Sequence, residues 1–248
     1  MIHSFLLIGQ SNAAGRGFKE EVEPIENKRI QVLRNGRWWP MYVPVNPDRK
    51  TAGINLIESF ADRYANEHNV DVGIIPCADG GTMLDQWCEG SLLFDHACYM
   101  TRLAQRTSTV AGVLWHQGES DCGDGLYQHY EEKLLKIVKA FRDTLDLHDV
   151  PFIVGGLGDY LVNYPAEDIQ KHYTDINEAL KRVVAQNERM GFVSAEGLGS
   201  NPDNLHFSAK ALREFGIRYY EEFLKHENHE KVFAEKKSGG IRTALEHL

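Results

Sequence analysis

Phe5-Leu6-Leu7-Ile8-Gly9-Gln10-Ser11-Asn12-Ala13-Ala14-Gly15-Arg16-Gly17 is the stretch whose reading decides the fold. Four apolar residues run without a break and stop at a glycine, the pattern of a strand buried on both faces of a parallel sheet. The polar residues that follow then emerge at the strand's C-terminal edge, where open α/β sheets place their ligands. Ser11 is expected on the turn from strand to helix, exposed, with backbone N–H groups beside it able to receive a developing negative charge. A plain helix cap is the competing role for Ser11, since Ser and Asn both cap helices well. Partners elsewhere in the chain have to decide between the two.

The same strand-then-polar pattern recurs along the chain. Asp71 to Pro76 reads as a buried strand ending in Cys77-Ala78-Asp79-Gly80-Gly81-Thr82, whose paired glycines let backbone approach a ligand closely. Val110 to Trp115 ends in His116-Gln117-Gly118-Glu119-Ser120-Asp121, a polar run that needs water, partners or a substrate. Pro151 to Leu157 and Gly191 to Ser194 complete the series, and Ile30 to Leu33 is a short strand before the hairpin signal Asn35-Gly36. Helical spacing covers Gly53–Glu67, Leu92–Arg106, Tyr127–Leu145, Ile169–Met190 and Ala209–Leu224. Strands alternating with helices imply a parallel sheet covered on both faces. The expectation is one α/β domain over residues 1–224, a three-layer α/β/α sandwich, doubly wound and flavodoxin-like, with about five strands. The charged stretch 225–248 is expected to be peripheral or of cloning origin.

Composition excludes more than it assigns. With 248 residues and 42% hydrophobic content the chain can bury a sizeable core. A net charge of −9 argues against a nucleic-acid or anionic-membrane surface. No apolar run is long enough to span a membrane. The N-terminus goes straight into the first strand, so a cytoplasmic protein is expected unless a leader preceded Met1. Cys77, Cys88, Cys98 and Cys122 lack CxxC spacing, and reduced thiols are expected.

A nucleophilic serine needs a base within hydrogen-bond reach and a carboxylate to orient it. Asp203-x-x-His206, just before the last helix, supplies both from one short loop: the carboxylate folds back onto one ring nitrogen while the other faces Ser11. Taken singly, Asp203 reads as a turn residue and His206 as a cap. In a doubly wound sheet the serine turn, Gly80-Gly81, His116 to Asp121 and Asp203 to His206 converge on one rim. A metal site built from His116, Glu119, Asp121 and His206 lacks tight ligand spacing, so no metal or other cofactor is expected.

Gly9-Gln10-Ser11-Asn12, Gly80-Gly81-Thr82, Trp115 to Asp121 and Asp203-x-x-His206, in that order, resemble the SGNH hydrolase superfamily. More narrowly they are similar to its sialate O-acetylesterase and acetylxylan esterase branch. The resemblance implies metal-free hydrolysis of acetyl esters on a carbohydrate. Ser11 becomes the nucleophile, His206 the base and Asp203 its orienting carboxylate. The oxyanion donors become the Ser11 N–H, an N–H from Gly80-Gly81, with Gly80 favoured, and the Gln117 side chain. Gln10, Asn12, His116 and Glu119 are supporting residues, an acid–base role for His116 or Glu119 staying open. Trp87, Trp38, Trp39 and Tyr160 are candidates for the sugar side, although packing over the sheet edge is the commoner fate of the paired tryptophans. Two alternatives stay open: a lipase or thioesterase of the same superfamily with a longer acyl chain, and a non-catalytic carbohydrate-binding protein.

Overall fold

Hydrophobic periodicity of two in the first strand splits the molecule into its layers. In the computed structural model, which describes residues 1–227, β1 (Ile2–Gly9) sends Phe5 and Leu7 to one face of the sheet and Leu6 and Ile8 to the other. All four are fully buried, as a strand covered on both sides requires. Around it lie β2 (Ile30–Arg34), β3 (Arg37–Pro40), β4 (Asp71–Pro76), β5 (Ser108–His116), β6 (Phe152–Gly155) and β7 (Met190–Val193). Their order is β3-β2-β4-β1-β5-β6-β7, all parallel except β3, which pairs antiparallel with β2.

Among the described residues the sheet has seven strands where about five were expected. Numbered in chain order, β4-β1-β5-β6-β7 reads 2-1-3-4-5, the flavodoxin order. The excess is the hairpin turned at Asn35-Gly36: β2 pairs on the free edge of β4 and carries β3 outside it. Both turn residues have positive φ, as a tight hairpin demands.

Among the described residues, besides a single turn, α1 (Ser11–Ala14), five helices cover the sheet: α2 (Leu56–His68), α3 (Leu92–Gln105), α4 (Tyr130–Leu145), α5 (Glu167–Ala185) and α6 (Ala209–Leu224). The sequence spacing places all five, with differences at the ends. α2 starts three residues later than its apolar pattern because Asn55 caps it, accepting from the Ile57 N–H while Glu58 accepts from the Asn55 N–H. α5 stops at Ala185, short of the expected Met190, because the chain must turn to enter β7.

One face is closed by α2 and α6, whose Phe60, Tyr64 and Phe223 pack edge-on around Phe5 at ring separations of 4.8 to 5.6 Å. The other is closed by α3, α4 and α5 through Phe94, Phe141 and Leu180. Each fully buried aliphatic or aromatic side chain contributes about 1.5–3 kcal/mol against exposure. β1 lies inside both cores, so its C-terminal end is a rigid place to mount a reactive group. Among the described residues no helix is long and apolar enough to cross a membrane. Of the charged stretch expected at 225–248, residues 228–248 lie outside the described residues.

Candidate active site

β1 ends at Gly9 because nothing larger fits there. Its φ is +124°, and a Cβ would sit 2.0 Å from the His116 carbonyl oxygen of neighbouring β5. That carbonyl accepts from the Gln10 N–H at 2.9 Å, so the serine turn is bonded to the end of β5. Ser11 opens α1 and is 7% exposed, enough to face the cleft above the sheet rim.

The loop between β7 and α6 comes back over this turn. Asp203 Oδ1 accepts the backbone N–H groups of Leu205 and His206, at 2.9 and 3.0 Å, and so folds the loop. Its other oxygen, Oδ2, lies 2.7 Å from His206 Nδ1. With Nδ1–H donating to Asp203, the Nε2 lone pair is free, and it lies 3.0 Å from Ser11 Oγ. Asp203 is therefore both the turn residue and the ring's partner, while the helix cap is Ser208, which accepts from the Ala211 N–H. Partial burial would raise the Asp203 carboxyl, but hydrogen bonds from the His206 N–H, the His206 ring and the Leu205 N–H outweigh it and hold it below its ordinary value.

Asn12 ties these blocks together. Fully buried, it donates to Glu119 Oε1 at 2.5 Å and to the Leu205 carbonyl at 3.1 Å, and it accepts from the Phe207 N–H at 3.1 Å. His116 is also fully buried, packed edge-on to Phe207 and Phe215 at 5.5 and 5.7 Å. Burial pushes its pKa down, so the ring is neutral and donates from Nε2 to the Gly156 carbonyl at 3.1 Å. It supports the third block and does not open onto the cleft.

Six residues take places other than those expected. Gln117 was expected in the oxyanion hole, but its amide is sealed under the turn: Nε2 donates to Asp121 Oδ2 at 2.5 Å and to the Thr82 carbonyl at 3.0 Å. Of the two glycines, Gly80 is the one already engaged, its N–H donating to Asp48 Oδ2 at 2.8 Å. The N–H groups of Gly81 and Ser11 carry no protein partner among the described residues. Trp87 is fully buried against Trp115, and its Nε1 donates to Thr82 Oγ1 at 3.0 Å; it props the glycine turn from beneath and cannot reach a sugar. Trp38 and Trp39 sit on edge strand β3, outside the cleft lining; Trp38 bonds Thr107 at 3.0 Å and Trp39 is half exposed. Tyr160 packs on Phe207 and its hydroxyl donates to the Leu205 carbonyl at 3.4 Å, so it braces the histidine loop rather than lining the cleft.

The cleft is a shallow space of about 370 Å³ bounded by the serine turn, Gly80-Gly81, Glu119, His206 and four residues that sequence reasoning left unassigned: Arg16, Arg49, Tyr164 and Ile169. Arg16 lies in the quoted glycine-spaced turn, which was the only signal for it. Its guanidinium makes a paired contact with Asp48 at 2.7 and 3.0 Å, and Arg49 bonds Asp79 at 2.6 Å and the Gly80 carbonyl at 3.1 Å. These contacts pin the glycine turn against Ser11. His116, Glu119, Asp121 and His206 do not converge, and no group of three or more His, Cys, Asp or Glu among the described residues is placed to hold a metal ion.

A sequence profile of carbohydrate esterases, described as sialic acid-specific acetylesterase, matches residues 1–225. The chain belongs to this family of carbohydrate esterases. This esterase is 28% identical over 246 residues to a probable carbohydrate esterase of Arabidopsis thaliana, the alignment covering 89% of either chain. The X-ray structure of an Arabidopsis thaliana protein matches with a TM-score of 0.81 at 26% identity, over 91% of this chain and 99% of that one. NanS shares the fold at a TM-score of 0.71 and 19% identity, over 90% of this chain and 97% of its own. A carbohydrate acetylesterase from Xanthomonas citri does so at 0.68 and 18%, over 91% of this chain and 56% of its own. The three-layer sandwich is also that of GDSL-like lipases. By family the esterase is a carboxylic ester hydrolase.

Proposed function

We propose that this esterase removes O-acetyl groups from a carbohydrate through an acetyl-serine intermediate on Ser11. The observation that carries the reading is the unbroken chain Asp203 Oδ2–His206 Nδ1–H and His206 Nε2–Ser11 Oγ, at 2.7 and 3.0 Å, on the wall of an open cleft. His206 takes the hydroxyl proton as Ser11 Oγ attacks the acetyl carbonyl carbon. The carbonyl π electrons move to oxygen, to which the unengaged N–H groups of Ser11 and Gly81 donate. The tetrahedral adduct then expels the sugar oxygen, which leaves with the proton from His206. Water, deprotonated by His206, repeats the attack and releases acetate and the serine. Asp203 keeps the proton on Nδ1 at rest and stabilises the imidazolium that forms.

The shape of the surface favours a short acyl group over a long chain. The larger apolar groove, about 470 Å³, is formed by Val22, Ile25, Met41 and Tyr42 among others and shares no lining residue with the Ser11 cleft. Arg16, Arg49 and Tyr164 around the cleft suit a polar alcohol side. The test is acetate release from acetylated xylan, acetylated mannan and O-acetylated sialic acid, beside a chain-length series of p-nitrophenyl esters. Acetate release with an acetyl optimum in the series supports the reading; preference for long acyl chains overturns it.

A further inference from the structure

Two glutamine side chains meet beneath the serine turn, Gln10 after β1 and Gln117 after β5. Only one of them opens onto the cleft. Gln117 Nε2 points to Asp121, to the Thr82 carbonyl and, at 3.2 Å, to Gln10 Oε1, and a primary amide has only two N–H bonds to give. Its own Oε1 is buried without a partner. Turning that amide over would set its oxygen against the Asp121 carboxylate, so the network fixes its orientation.

Gln10 is oriented the opposite way. Its Oε1 accepts from the Gly118 and Ser120 N–H groups, both at 3.3 Å, and the Gln117 amide nitrogen lies 3.2 Å from it. Two backbone donors on one oxygen leave a single orientation for the amide. Its Nε2 has no protein partner among the described residues and is not sealed from solvent. The N–H bonds therefore face the cleft that Gln10 lines together with Ser11 and Gly81.

We propose that the Gln10 side-chain amide, and not that of Gln117, is the side-chain donor to the oxyanion; this rests on the acetyl-serine reading above. The carbonyl end of Gln10 is clamped before substrate arrives, so the donating end needs no reorganisation when charge develops. Gln117 and Asp121 act through Gln10 and are positioning residues.

The decisive variant is Gln10→Glu, which keeps the shape and the accepting oxygen and removes the donor. Its kcat on an acetyl ester falls roughly 10²–10³-fold, the loss seen for one oxyanion donor elsewhere, with KM within about threefold. Gln117→Ala lowers the melting temperature and reduces kcat less than Gln10→Glu does. Gln10→Ala serves the same test if the added charge unfolds the turn. A fluorophosphonate that still labels Ser11, more slowly, in a folded Gln10→Glu protein keeps this inference separate from the mechanism it rests on. Full kcat in Gln10→Glu with Ser11 labelled overturns the Gln10 assignment alone. Failure of Ser11 in the wild-type protein to label overturns both.

Discussion

Ser11 Oγ and His206 Nε2 stand 3.0 Å apart although 195 positions separate them in the chain, and Asn12 holds that separation. Its side chain grips the backbone on both sides of the histidine, at the Leu205 carbonyl and the Phe207 N–H. Asn12→Ala releases both grips without touching either reacting group. A displacement of about 1 Å can cost on the order of 10²-fold in rate, so kcat should fall by about that much with KM little changed. Steady-state kinetics on an acetyl ester check this, and an unchanged kcat in a folded variant contradicts it.

Asp203 and Glu119 should separate cleanly. Asp203→Asn disturbs the Nδ1 proton of His206 and the charge that stabilises the imidazolium; the comparable change in a serine protease costs about 10⁴-fold in kcat. The Asp203 side chain is nearly half exposed, so a smaller loss is expected here, still more than about tenfold in kcat/KM. Glu119→Gln should lose less, because Glu119 Oε1 meets Asn12 and not the base. The ranking by kcat/KM is the readout, and a reversed ranking moves the orienting role to the third block.

Burial pushes the Asp121 carboxyl up to about 6, with hydrogen bonds from Gln117 and the Leu84 N–H pulling only partly against it. A raised folded pKa means the folded state binds this proton more tightly than the unfolded chain. The corresponding stability is fully present below the unfolded value near 4 and is lost as pH rises through about 6. Asp121→Asn lacks this dependence. The difference in melting temperature, wild type minus Asp121→Asn, should therefore decline between pH 4 and pH 7. A difference constant across that range contradicts the assignment.

The tryptophans divide by depth. Trp87→Ala should destabilise the fold by about 3–5 kcal/mol, the usual range for deleting a large buried aromatic, as read by denaturant unfolding. Trp39→Ala, at an edge strand outside the cleft lining, should leave kcat/KM within about twofold. A large rise in KM for Trp39→Ala on a polymeric substrate would return the sugar site to β3.

Much of this was legible in the sequence, for identifiable reasons. Phe5 to Ile8 and Val110 to Trp115 are apolar runs that end abruptly, so the strand ends and the rim they share could be read directly. The pairing of Asp203 with His206 follows from a three-residue spacing within one loop. What could not be read was the direction of side chains. Gln10 and Gln117 are the same residue type, each just past a strand, and only the Asp121 carboxylate and the Gly118 and Ser120 N–H groups determine which amide turns to the cleft. Gly80 and Gly81 differ likewise through Asp48, which approaches from a loop that carries no sequence signal of its own. Trp87 looked like a pocket wall because its burial depends on Trp115, a distant partner on β5.

The central claim is that Ser11 forms the covalent intermediate. Incubation with a serine-directed fluorophosphonate, followed by peptide mass spectrometry, tests it most directly. A single adduct is predicted on the peptide carrying Ser11, with loss of acetylesterase activity in proportion to labelling, and no adduct on a folded Ser11→Ala protein. Labelling at another residue, or full acetylesterase activity in Ser11→Ala, would contradict it.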